Sequence, residues 1–205
     1  MMNMKKLFFI IAFFSLTATE ADAQRLHNLY GISWEVGFPT GDFVTKPSLL
    51  GGKVEYRRFV KENFSVGATL GWNNFEEYVP RQTYENEDQT SAITTDNQRF
   101  VFSLPMTVDV FYYFGTHGKF VPYAGIGLGG QYAAYKTYYN IYVTDDKGWG
   151  FVARPQIGTL INMGVTNPTK FILAAGYNYS TNKSTVFRTG NFQNFWLSLG
   201  VCFTN

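Results

Sequence analysis

The sequence predicts an all-β protein: an eight-stranded antiparallel up-and-down transmembrane β-barrel, after a cleaved signal peptide. Three observations predict it. A secretory leader opens the chain. Eight later segments alternate apolar residues with small or polar ones at period two. The connections between those segments alternate between longer and shorter.

The leader is Met1–Ala23. Lys5 and Lys6 charge its start, Leu7–Leu16 is apolar apart from Ser15, and Ala21-Asp22-Ala23 forms an A-x-A cleavage pattern. The apolar run is short for a spanning helix, which needs about 20 residues. The mature chain then starts at Gln24, and residues 24–205 form one barrel domain. No cysteine lies near the cleavage point, so a lipid anchor is not expected. The single cysteine, Cys202, has no partner for an internal disulfide. With 17 Lys and Arg against 15 Asp and Glu, the chain has no basic excess to bind nucleic acid.

The first strand is Leu29–Phe38, with Tyr30, Ile32, Trp34, Val36 and Phe38 on one face. Gly51–Val60 follows, with Lys53, Glu55 and Arg57 opposite Val54 and Tyr56. In Phe64–Tyr78, Val66, Ala68, Leu70 and Trp72 alternate with Ser65, Gly67, Thr69 and Gly71. Phe100–Phe114 alternates strongly, although Phe111 and Tyr113 blur its polar face. Phe120–Tyr139 sets Gly125, Gly127, Gly129 and Gln131 against Ala124, Ile126 and Leu128. Trp149–Met163 carries Arg154, Gln156 and Gly158 on one face, and Phe171–Ser180 alternates in the same way. The last strand lies in Asn191–Phe203. There Phe195, Leu197, Leu199, Val201 and Phe203 form one stripe, and Trp196 interrupts the small, polar face behind it.

Short turns are expected at Lys61–Asn63, Gly115–Lys119 and Gly164–Lys170. Longer loops are expected at Pro39–Leu50, Pro80–Asn97, Asn140–Gly148 and Thr181–Gly190. Membrane barrels have short periplasmic turns and longer outer loops, which puts both termini on the periplasmic side. Glycines collect on the polar face, as in a small barrel whose interior must leave room for larger side chains. Aromatics gather near strand ends, from Tyr30, Phe59 and Phe120 to Trp72, Tyr138 and Tyr179, where a bilayer interface would hold them.

Taken together, the mature chain resembles the small eight-stranded outer-membrane barrels of the OmpA/OmpX type, the porin-like outer membrane protein β-barrel domain. The near-terminal aromatic Phe203, followed here by Thr204 and Asn205, and the run Gly37-Phe38-Pro39-Thr40-Gly41-Asp42-Phe43 add to that resemblance. It implies a monomer in the Gram-negative outer membrane, in contact with lipid and lipopolysaccharide. It also implies a structural or interaction role, in adhesion or envelope integrity, with an extracellular partner met through the outer loops. No peptidoglycan-binding domain is expected after Asn205.

If the polar faces point inward, Glu35, Lys53, Glu55, Arg57, Asp109 and Arg154 share the lumen. Buried charges are tolerable when paired and hydrogen-bonded. A network that fills the lumen is therefore the expectation, and a narrow porin-like path for small solutes is the alternative. No catalytic, cofactor-binding or metal-binding residue is expected. His27 precedes the first strand and His117 lies in a short turn, and no nucleophile elbow or metal-ligand spacing occurs. Gly125–Gly130 mimics part of a dinucleotide fingerprint without the helix that it needs. A lipid-modifying enzyme is accordingly the weaker reading. A soluble lipocalin-like barrel remains open on alternation alone, because period two does not say which face is inside.

Overall fold

Alternation builds the strands, and their two unlike faces decide how the sheet curls. A computed structural model describes residues 28–41, 43–85, 92–115, 118–139, 142–164, 167–184, 186–187 and 189–205. The expected leader, residues 1–23, lies outside the described residues, as do His27 and His117. The strands are β1 (Asn28–Pro39), β2 (Ser48–Lys61), β3 (Phe64–Glu85), β4 (Ala92–Tyr113), β5 (Phe120–Tyr139), β6 (Tyr142–Asn162), β7 (Thr169–Ser180) and β8 (Phe192–Thr204). Each pairs antiparallel with its neighbours in sequence, and β8 returns to β1, so the sheet is a closed barrel. The closing seam runs from Leu29↔Thr204 to Pro39↔Asn194. Reciprocal bonds between Asn28 and Asn205, each 2.9 Å, extend the seam to the end of the chain.

The apolar stripes face outward. Ile32, Trp34, Val108, Ile157, Leu173, Leu197 and Leu199 are each at least half exposed. The polar faces line a lumen, where Ser33, Glu35, Lys53, Arg57, Asp109 and Gln131 are buried. This is the reverse of a water-soluble barrel, and it removes the lipocalin-like reading. No helix among the described residues is long and apolar enough to cross a membrane. A closed ring of strands meets the same need, since every backbone amide finds a partner in the next strand.

Two expected loops are corrected. Pro80–Asn97 is mostly strand: β3 continues to Glu85 and β4 starts at Ala92, in register from Gln82↔Thr95 to Glu85↔Ala92 after an irregularity at Val79/Gln82. Asn140–Gly148 is likewise absorbed into β6, which pairs from Ala133↔Gly148 to Tyr139↔Tyr142. The ladder holds these hairpins, while their side chains show no apolar period. A ribbon with water on both sides has no face to make apolar, so period two vanishes although the strand persists. β3 and β4 have 22 residues each, and β1 and β7 have 12. About 9–11 residues cross a bilayer, so both hairpins project well beyond it, at the end opposite the termini.

The outward stripe yields a stability prediction. Leu199 is exposed in mid-strand between Trp34 and Leu173. Leu199→Arg should cost about 2–4 kcal/mol in a lipid bilayer. Equilibrium urea unfolding in phospholipid vesicles measures it, and an unchanged midpoint would mean that this face does not meet lipid.

Candidate functional site: the lumen and its two aromatic layers

Antiparallel pairing brings the inward residues of all eight strands into one column. At the terminal end it is apolar: Leu29, Phe111, Tyr113, Val121, Tyr123, Leu160 and Ile172 pack as one buried cluster. Phe111 and Tyr113, which blur the pattern in the sequence, are inward residues of this layer. Their ring contacts join β4 to β5, with centroids of Phe111 and Tyr123 5.7 Å apart, edge to face.

The six charged residues named from the sequence are all buried in this column, and the structure brings five of them into ion pairs. On β1, Glu35 receives two bonds from Nη2 of Arg154 on β6, at 3.0 and 2.9 Å. Nδ2 of Asn73 on β3 adds a third at 2.7 Å. On β2, Arg57 Nη2 donates to both oxygens of Glu55, at 3.0 and 3.2 Å. Lys53 Nζ lies 3.6 Å from the same carboxylate. Arg57 also donates to the hydroxyls of Tyr113 at 3.2 Å and Tyr123 at 3.0 Å. Its guanidinium sits 3.8 Å from the centroid of Phe111. Asp109 stands apart from these pairs: its carboxylate accepts from Thr107 Oγ1 at 2.9 Å, and its Oδ2 has no hydrogen-bond partner among the described residues.

Trp196 joins the two ion-pair groups. Its ring lies 4.5 Å from Lys53 Nζ and 4.9 Å from the Arg154 guanidinium, so one indole faces a cation from each. The ring has room because β7 carries a glycine beside it. A Cβ on Gly176 would run into the indole carbons of Trp196. Gly127 does the same for Asp109, whose Oδ1 occupies the place of a side chain there. The lumen glycines thus complement the large side chains of neighbouring strands.

Above the charges lies an amide layer. Asn178 Nδ2 donates to Gln131 Oε1 at 2.9 Å and to Asn194 Oδ1 at 3.1 Å, and Gln131 Nε2 donates to Ser180 Oγ at 3.1 Å. A second apolar layer follows: Val44, Phe75, Val101, Ala133, Tyr135 and Phe192, with Phe43 and Phe187 against it. Sequence reasoning put Asn73, Gln131, Asn178 and Trp196 on the polar faces but left them, with Tyr113 and Tyr123, out of the lumen network. Their inward parity was visible, but their partners sit on other strands. Among the described residues, no three His, Cys, Asp or Glu side chains are grouped as metal ligands.

A family of known proteins shares this pattern: the outer membrane protein beta-barrel domain matches residues 8–203. The chain belongs to this family. It is therefore a β-barrel of the Gram-negative outer membrane, embedded in that membrane's lipid. The fold is similar to that of Ail, the attachment invasion locus protein of Yersinia pestis, solved with the heparin analogue sucrose octasulfate. The two are 14% identical, 89% of this chain and 100% of that one are covered, and the TM-score is 0.53. Neisserial surface protein A is 12% identical, with 89% and 99% covered and a TM-score of 0.50. The outer membrane protease OmpT of Escherichia coli is 9% identical, with 92% and 100% covered and a TM-score of 0.54. At these identities the likeness is one of fold. No curated protein matches the sequence.

The buried pair Glu35–Arg154 gives a direct test of the network. Glu35→Ala strands a buried guanidinium and should cost about 3–5 kcal/mol. Glu35→Ala with Arg154→Met should cost clearly less than the two single changes together. Unfolding of the four variants in detergent measures the cycle, and strict additivity would mean that the two residues do not interact.

Proposed function

We propose that this outer-membrane barrel is a non-catalytic interaction protein: its lumen is filled, and its two long hairpins meet partners outside the cell. The arrangement that carries this reading is the pair of apolar layers above and below a charge-balanced network. Glu35 pairs with Arg154 and Glu55 with Arg57 and Lys53, and with Asp109 the six lumen charges sum formally to zero. Eight strands leave an interior that side chains fill. Here Arg57, Tyr113, Tyr123 and Trp196, all buried, supply much of that filling.

The hairpins β3–β4 and β5–β6 support the interaction role. In the orientation usual for such barrels, short turns and termini face the periplasm. The hairpins then stand in the medium, presenting Tyr78, Tyr142, Val143 and Trp149, each more than half exposed. Exposed aromatics on a rigid ladder are favoured contact residues at interfaces. The name of Ail, the attachment invasion locus protein, agrees with this reading. The second reading is a narrow conduit. Unpartnered buried polar atoms on Ser33, Thr69, Ser103, Asp109 and Ser198 favour it, because they provide sites for a file of water.

Planar-bilayer recording separates the two. The purified barrel in molar potassium chloride should give no steady conductance steps. Steady ohmic steps would overturn the filled lumen and favour the conduit. Replacing residues 80–97 by a two-residue turn should leave the barrel folded and remove adhesion of expressing cells to host-type surfaces. Adhesion unchanged by that deletion would contradict the interaction role.

A further inference from the structure

Above the second apolar layer, at the end opposite the termini, the barrel wall encloses a cup of about 720 Å³. That volume lies within the roughly 300–1,000 Å³ typical of small-molecule sites. Its polar lining includes Thr40, Thr144, Thr189, Asn191 and Gln193 and, on the wall, a four-residue patch. Asn97 and Arg99 are two apart on β4, and Thr137 and Tyr139 are two apart on β5. Arg99 is the direct cross-strand partner of Thr137, so the four form one block on the inner surface. Its apolar part is Phe43 and Phe187, whose rings lie 4.9 Å apart and pack against Tyr135 of the layer below.

Two polar atoms in this cup have no partner among the described residues. Asn97 is 8% exposed and Thr137 is 4% exposed. Neither Oδ1 of Asn97 nor Oγ1 of Thr137 makes a hydrogen bond to a described residue. Buried polar atoms in native proteins are nearly always paired, and an unpaired one is costly to stability. The neighbouring donor is held in place: Arg99 donates from Nη1 to the Phe43 carbonyl at 3.1 Å, with its guanidinium 5.4 Å from the Phe43 ring. The cup thus offers an acceptor, a hydroxyl and a guanidinium on one wall, beside adjacent rings.

The described lining of the cup carries little charge. Arg99 is the one cation among its described lining residues, and Glu77 is its direct cross-strand partner. The carboxylate of Glu77 is engaged by Thr45, through its amide at 2.6 Å and its hydroxyl at 2.9 Å. A highly sulfated or phosphorylated ligand would find a single positive charge among the described lining residues. What fits is an uncharged molecule with hydroxyls on its edges and an apolar C–H face to lay on a ring. That is the chemistry of a neutral sugar.

We propose that this cup binds a neutral saccharide unit, with Asn97, Arg99 and Thr137 taking its hydroxyls and Phe43 and Phe187 its apolar face. The proposal deepens the interaction reading and rests on it, because the cup must open outside the cell. The test uses the mature chain refolded in detergent and fluorescently labelled. It is applied to an array of neutral, uronic-acid and sulfated oligosaccharides. Binding to neutral members is expected. Thr137→Val, which keeps the side chain's shape and removes the hydroxyl, should weaken that binding about tenfold, the scale of one lost hydrogen bond. Asn97→Leu should do the same. Val108→Ala, on the lipid-facing surface of the barrel, should leave it unchanged. Circular dichroism in detergent confirms that each variant keeps its strands, and if Asn97→Leu loses them, Thr137→Val alone decides. No binding to any neutral glycan overturns the proposal, as does binding confined to uronic or sulfated members, or binding unaffected by Thr137→Val. If adhesion still depends on residues 80–97 after such a failure, only the sugar site falls. If that dependence is lost as well, the interaction reading falls with it.

Discussion

Hydrocarbon offers no partner for a backbone amide, and this constraint governs the whole molecule. A strand in lipid needs a neighbour on both edges. β8 answers it for β1 along the seam from Leu29↔Thr204 to Pro39↔Asn194. Once the ring closes, no edge remains, and each strand must show one face to lipid and the other to a narrow lumen. The alternation of Phe195, Leu197, Leu199 and Val201 with Asn194, Trp196, Ser198 and Gly200 is that division written in one strand.

The lumen then has a packing problem and a charge problem, and the two are solved together. Small residues such as Gly127 and Gly176 stand beside large ones, so that Asp109 and Trp196 fit. Burying three acids and three bases is costly unless they are engaged. The Glu35–Arg154 and Glu55–Arg57 pairs each make two hydrogen bonds, and Asn73, Tyr113 and Tyr123 take up further bonding positions. Trp196 stands between two cations, so the large residue in the middle of the inward face of β8 sits where both groups converge.

Most of the fold was legible because its cause is local. Parity along Leu29–Phe38 or Phe64–Trp72 needs no knowledge of other strands, and neither does the outward direction of Ile32 or Leu70 once lipid is the solvent. The hairpins beyond Val79 and before Gly148 were not legible, because a strand bathed in water on both sides carries no apolar period. The six lumen charges could be named from parity, but their pairing could not. Glu35 meets Arg154 across the barrel, 119 positions away in sequence. Which of the three bases it would meet depends on the offset between strands, which no single strand records. The cup was hidden for the same reason: Asn97 ended a stretch that reads as loop, Arg99 lay between that stretch and the strand from Phe100, and their partners lie on β5 and in two connections.

Heat-modifiability tests the central claim, a closed barrel with its apolar face in lipid, most directly. The mature chain, residues 24–205, is refolded in detergent and run on a gel with and without boiling, beside circular dichroism in detergent and in plain buffer. The account predicts a mobility shift on boiling and a β-rich spectrum in detergent alone. A chain that folds in plain buffer and migrates identically with and without boiling would contradict it.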